Sequence, residues 1–333
     1  MEKNREGNAD LLRVLSSFLV VLLHVSAVYG DSGWGIVYNG VSRCAVPLFV
    51  MLSGRYLLAQ PPSVRRMGKK SLRLFGVMVL WAAAYFAVEL LRGTHSWQGA
   101  GDFAAYLVTQ PVHLWYLWAA IALYLFTPCL AVFCQNAPRK IVDYALALTF
   151  LFGSVVTILL RAERFPLLAQ VVDQMKMDAT LGFLFCYLAG WRLRRFSPAR
   201  RRKAALLLLG GLGLAATWAG ALAFRGTGTA SLFLSFYAPN VLLTALGVYV
   251  LFDGFCPGPR WAWLEKRAGS TMGVYLVHIL VLWVLGDALA PLAQRFPLGL
   301  VIPAETLLVF LASLALAEGW RWGARVLRRR ETS

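Results

Sequence analysis

The feature that most constrains this chain is a succession of apolar blocks of roughly 16–22 residues, separated by short polar segments. A helix of that length covers the ~30 Å of hydrocarbon in a bilayer. A span facing lipid must satisfy its own backbone hydrogen bonds, so the blocks read as helices and not as open strands. They also lack the alternating period of an outer-membrane barrel. The blocks predict helices at 11–29, 41–59, 74–91, 113–133, 143–160, 177–192, 204–224, 232–252, 271–290 and 299–320. The expectation is an all-α, polytopic integral membrane bundle of about ten transmembrane helices, a single domain over residues 1–333. The first block is long for the apolar region of a signal peptide and contains His24, so it is read as a retained helix.

Charge then sets the orientation. The chain is 59% hydrophobic and 15% charged, yet carries a net charge of +17. Such a basic balance can mean nucleic acid, but here Lys and Arg sit in short loops between apolar blocks. With the N-terminus inside, 25 of them fall on the inner side. Six fall outside: Arg92, Arg161, Arg164, Lys176, Arg225 and Arg295. By the positive-inside rule both termini are cytoplasmic, and no nucleic-acid partner is implied. The run Arg192 to Lys203 reads as a topology determinant near anionic lipid. The five cysteines, Cys44, Cys129, Cys134, Cys186 and Cys256, show no paired spacing, so neither a disulfide framework nor a metal site is implied.

Ionisable groups inside spans are costly and are candidate functional groups by default. On the first helix, at about 100° per residue, Ser17, Asp10 and His24 lie roughly 40°, 60° and 20° from Arg13, so all four share a face. Arg13 and His24 are about 16 Å apart along the axis. One account makes this stripe a polar seam between helices. The other makes His24 a proton acceptor in a membrane cavity. The second block carries Arg43 and Arg55 on either side of Pro47, which can kink a helix and free a carbonyl. Snorkelling accounts for Arg55; Arg43 calls for a polar partner. The run Arg65 to Arg73, including Lys70, is a cationic patch suited either to phosphates or to setting topology. His113 and Trp115 open the fourth helix, where an aromatic belt and an acceptor-facing edge are alternative readings. On the ninth, Thr271 and His278 share a face with Tyr275 beside them, a second stripe able to meet the first across a cavity.

These residues resemble the membrane-bound acyltransferase family 3 over nearly the whole chain. Arg13, ten residues and His24 match one signature, opened by the Asp10-Leu11-Leu12-Arg13 run. Val46 to Leu57, His113 to Leu117 and Gly273 to His278 match three more, in order. In kind the chain looks like the single-domain sugar O-acetyltransferases. The resemblance implies transfer of an acyl group, usually acetyl, from cytoplasmic acyl-CoA to a hydroxyl of a cell-envelope glycan or lipid-linked saccharide, in a bacterial inner membrane. It implies His24 as base with Arg13 and Asp10 as catalytic partners. Lys70 and Arg73, the nearest match to a cytoplasmic Arg-x-x-Arg, would bind acyl-CoA phosphates. Arg43, His113, Trp115, Tyr275 and His278 are candidates for the acceptor side. A membrane transporter or flippase without acyl chemistry is the alternative, since a buried polar stripe also suits a permeation path.

Overall fold

The computed structural model describes residues 2–30, 32–99, 101–109, 113–161, 181–255 and 257–331. Among these there are helices and turns and no strand, as expected of an all-α chain. Among the described residues, eight helical stretches are long and apolar enough to cross a bilayer. Two further apolar blocks form shorter helices, Leu181–Arg195 and Pro239–Asp253, of 15 residues each. The expected start of the former at 177 lies outside the described residues, as do Arg164, Lys176 and Cys256.

The chain clusters into two compact units. The first comprises Met1–Arg55 with Arg139–Ser333. Its first helix, α1 (Glu2–Val28), is its hub, touched by α2 (Gly33–Ser42), α12 (Pro239–Asp253), α13 (Ala262–Glu265), α14 (Thr271–Arg295) and α15 (Leu298–Glu331). Two thirds of its apolar window, 67%, is buried within the protein, so most of α1 faces other helices and not lipid.

The second apolar block was expected as one helix from 41 to 59. It is two: α2, and α3 (Ala45–Leu57), with a turn at Arg43–Cys44. The cause is Pro47. It has no N–H to give the Arg43 carbonyl four residues back, and regular bonding resumes only with Leu48 N–H to Cys44 O at 3.0 Å. Further along, α3 crosses α9 (Leu181–Arg195) at backbone contact. A Cβ on Gly54 would stand 1.8 Å from the Tyr187 carbonyl oxygen, and one on Gly190 would stand 1.9 Å from that of Met51. Only glycine permits this approach, the small-residue packing common between helices in lipid.

Further helices belong to the first unit. The helix beginning at α7 (Arg139–Phe150) passes through a π turn, Leu151–Val156, into α8 (Thr157–Arg161). The next, α10 (Arg200–Ala223), lies along α12, with Gly210 against Gly247. The block expected at 232–252 is interrupted. A short helix, α11 (Gly228–Phe233), ends before a turn, and Pro239 restarts the chain as the first residue of α12, a position where its missing N–H costs nothing.

The second unit, Tyr56–Pro138, holds α4 (Val64–Leu91), α5 (Asp102–Thr109) and α6 (Trp115–Asn136). Here α4 begins ten residues before its expected start at 74. Ser63 accepts the Arg66 N–H at its N-terminus, so the basic run is helical rather than a loop. Gln135 at the end of α6 donates to the carbonyls of Leu58 and Gln60 at 2.8 and 2.9 Å, holding the segment that precedes α4.

Candidate active site

Within the first unit, the last turns of α1 are where the unusual side chains gather. The rings of His24 on α1 and His278 on α14 stand 5.1 Å apart, centroid to centroid, tilted by 51°. The two polar stripes therefore meet ring to ring. His278 is fully buried, and its Nδ1 lies 2.8 Å from the Tyr275 carbonyl and 3.2 Å from that of Val274. Both neighbours are pure acceptors, so Nδ1 carries the hydrogen and Nε2 the lone pair. Tyr275 is buried with its ring 6.1 Å from that of His278, and Thr271, at the start of α14, donates to the Ala268 carbonyl.

Asn39 of α2 latches this region. Its amide donates to the Leu23 carbonyl at 3.3 Å and to Ser26 Oγ at 3.2 Å, bracketing His24 in sequence. Its Oδ1 accepts from Arg43 Nε at 2.7 Å, and the Arg43 guanidinium stands 5.1 Å above the Phe236 ring. Arg43 thus has the polar partner the sequence called for. One turn beyond His24, Tyr29 donates to Glu305 Oε2 on α15 at 2.8 Å. Glu305 is buried, 3% exposed, within an apolar helix. Three helices therefore bring a histidine, an asparagine and a carboxylate onto one end of α1.

Toward the other end of α1, Arg13 Nη1 donates to Asp10 Oδ1 at 2.6 Å, one helical turn away, while both remain partly exposed. The Asp10–Arg13 pair sits about 16 Å along the axis from His24 by helical rise, so it does not orient the imidazole by direct contact. Snorkelling also fails for Arg55, whose side chain is only 5% exposed and bonds Asp253 and Tyr249 at 3.3 Å each. Glu305, Asn39 and Asp253 were not singled out by sequence. Glu305 carried a usable signal, an acidic residue inside an apolar block. Asn39 lay outside the expected helix, and Asp253 one residue past the end of one.

In the second unit, Lys70 and Arg73 line a common cleft of about 540 Å³ with Ser63, Arg65, Arg66 and Lys69. Five cations gather on the first turns of α4, whose N-terminal dipole adds to the positive potential. His113 is buried, 3% exposed, its ring 4.8 Å from that of Tyr85, and Trp115 opens α6 beside Tyr116. His113 is thus enclosed rather than open at an edge.

Fold and site together define a multi-pass helical membrane protein with a histidine pair enclosed among its helices. The family model described as "Acyltransferase domain" matches residues 6–318, nearly the whole chain. The chain belongs to the acyltransferase family 3. No curated protein and no solved structure matches it.

Proposed function

We propose that the protein is an O-acyltransferase that moves an acyl group, acetyl by family likeness, from acyl-CoA to a hydroxyl of a cell-envelope glycan or lipid-linked saccharide. The observation that carries this reading is the pairing of His24 with His278 inside a chain of this family. An alcohol is a weak nucleophile and needs a base. His24 takes the hydroxyl proton as the alcohol oxygen bonds to the thioester carbonyl carbon. The C–S bond then breaks, and the proton passes to the departing thiolate, leaving free CoA thiol and an ester. His278 packs against His24 and limits the directions its ring can take. Arg43, held by the Asn39 amide that also bonds the Leu23 carbonyl beside His24, offsets charge developing on the carbonyl oxygen.

The donor's phosphates suit the cleft lined by Lys70 and Arg73, where guanidinium and ammonium groups outnumber any carboxylate. Asp10 and Arg13 serve as a charged pair at the cytoplasmic end of α1, in the inner membrane of a bacterium. Tyr29, Glu305 and Tyr275 are the residues we assign to the acceptor side.

The test is thioester turnover by purified protein with acetyl-CoA and envelope glycan acceptors. His24→Ala should lower kcat by about 10²–10⁴-fold. Lys70→Ala/Arg73→Ala should raise the KM for acyl-CoA at least ~10-fold and leave that for the acceptor unchanged, because each charge-assisted contact is worth about 1.5–3 kcal/mol. Full turnover in folded His24→Ala removes His24 from the mechanism. Solute uptake by proteoliposomes without acyl-CoA, and no thioester cleavage, replaces the enzyme with a transporter.

A further inference from the structure

A second cationic site lies in the first unit, away from His24. Arg139 and Asp143 on α7, Arg192 on α9 and Arg202 on α10 surround the mouth of a groove of about 370 Å³. Arg192 grips Asp143 with both arms, Nε to Oδ1 at 2.6 Å and Nη2 to Oδ2 at 3.1 Å, and Arg139 reaches Oδ2 at 3.7 Å. Three guanidinium groups crowd one ring, that of Phe196: Arg192 at 4.9 Å, Arg195 at 5.3 Å and Arg139 at 5.4 Å. A single carboxylate faces three arginines at the mouth, so the groove keeps a net positive charge. Its mouth is open, with the Asp143 and Arg139 side chains about half exposed.

Below the mouth the chemistry changes. Leu146, Phe185, Leu206 and Leu246 form an apolar wall. On the same helix as Leu206, α10, Leu207, Leu208 and Leu209 are 40–65% exposed, and α10 is long enough to cross a bilayer. A site with guanidinium groups at its rim and hydrocarbon beneath matches one ligand shape: an anionic headgroup attached to an acyl chain. A soluble phosphate compound has no use for the wall, and a neutral lipid has none for the rim.

We infer that this groove binds an anionic glycerophospholipid of the surrounding leaflet, its phosphate held by Arg139 and Arg202, with Arg192 behind them neutralising Asp143, and its first acyl carbons against Leu206 and Leu246. The volume admits the headgroup region, while the rest of the chains lies along α10 within the bilayer. The inference does not depend on the acyl chemistry proposed above.

The experiment measures lipid binding to detergent-solubilised full-length protein by native mass spectrometry, with phosphatidylglycerol, phosphatidylcholine and inorganic phosphate as probes. The wild type should bind phosphatidylglycerol at least ~10-fold more tightly than phosphatidylcholine, since the guanidinium–phosphate contacts answer to net anionic charge. Arg139→Gln/Arg202→Gln should lose most of that preference. Arg200→Gln/Arg201→Gln removes equal charge from neighbouring positions outside the groove and should keep it. Leu206→Trp retains every charge and fills the wall, and should weaken phosphatidylglycerol binding without altering the response to inorganic phosphate. Equal losses in the two arginine pairs would reduce the effect to general surface charge and overturn the site. An equal preference for inorganic phosphate, or no effect of Leu206→Trp, would exclude the lipid.

Discussion

At the scale of single residues, what distinguishes this protein is how buried polar groups are partnered. His278 spends its Nδ1–H on a carbonyl of its own helix, which orients the lone pair of Nε2. Asn39 does the reverse, using both ends of one amide to tie α1, α2 and Arg43 together. A third example lies in the segment after α4. Asp102 accepts from His95 Nε2 at 3.0 Å and from the Gln98 N–H at 3.0 Å. Partial desolvation disfavours the ionised carboxylate, but the Gln98 amide and His95 outweigh it and hold the carboxyl below its ordinary value. A depressed folded-state pKa contributes stability above the unfolded value, and that contribution is lost as pH falls through the folded one. Amide exchange at Gln98 and in Asp102–Thr109, corrected for its intrinsic pH dependence, should therefore be slow at neutral pH. It should accelerate below roughly pH 4, the carboxylate range. Asp102→Asn should remove that acid-dependent acceleration. A segment equally protected at low pH would show that Asp102 does not anchor it.

At the scale of elements, one proline and two glycines shape α3. Pro47 ends α2 by withholding the hydrogen bond that Arg43 would accept, and so leaves the Arg43 side chain at a helix end beside Phe236. Gly54 and Gly190 let α3 and α9 touch backbone to backbone. A side chain at either position meets a carbonyl rather than a flexible neighbour, so the helices themselves must part. Gly190→Leu should lower stability by about 1–3 kcal/mol or more, with a lower unfolding midpoint in detergent. Gly68→Ala, where a Cβ meets open space, should leave the midpoint within about 0.5 kcal/mol. Similar midpoints for the two would mean that the crossing relaxes freely.

At the scale of the whole molecule, charge inside the helices is held by partners distant in sequence. Arg55, from the N-terminal stretch, pairs with Asp253 nearly two hundred residues later, and Lys203 reaches the same carboxylate at 3.7 Å. Removing the carboxylate takes the counter-charge from a buried guanidinium, whereas removing Lys203, 29% exposed, loosens a solvated contact. Asp253→Asn should cost about 3–5 kcal/mol and Lys203→Gln about 1 or less, read from unfolding midpoints. Equal costs would mean that the Arg55–Asp253 pair is as solvated as a surface one.

The division between sequence and tertiary structure follows the range of the forces involved. Block length and hydropathy are properties of contiguous residues, so the all-α membrane class was legible without coordinates. So were the stripes bearing Arg13 and His24 on one helix and Thr271, Tyr275 and His278 on another, because helical period alone sets which residues share a face. Pro47 announced a break, and only the register of the missing bond located it. What the sequence did not contain was which stripe faces which. The 5.1 Å approach of His24 and His278, the Tyr29–Glu305 bond and the Arg55–Asp253 pair each join residues about two hundred or more positions apart. Their pairing depends on helix crossings, and those depend on which surfaces interlock at contacts such as Gly54 against Tyr187. Local pattern determined what each helix is; the packing of helix against helix, a short-range force acting between chain segments far apart in sequence, decided what each buried polar group meets.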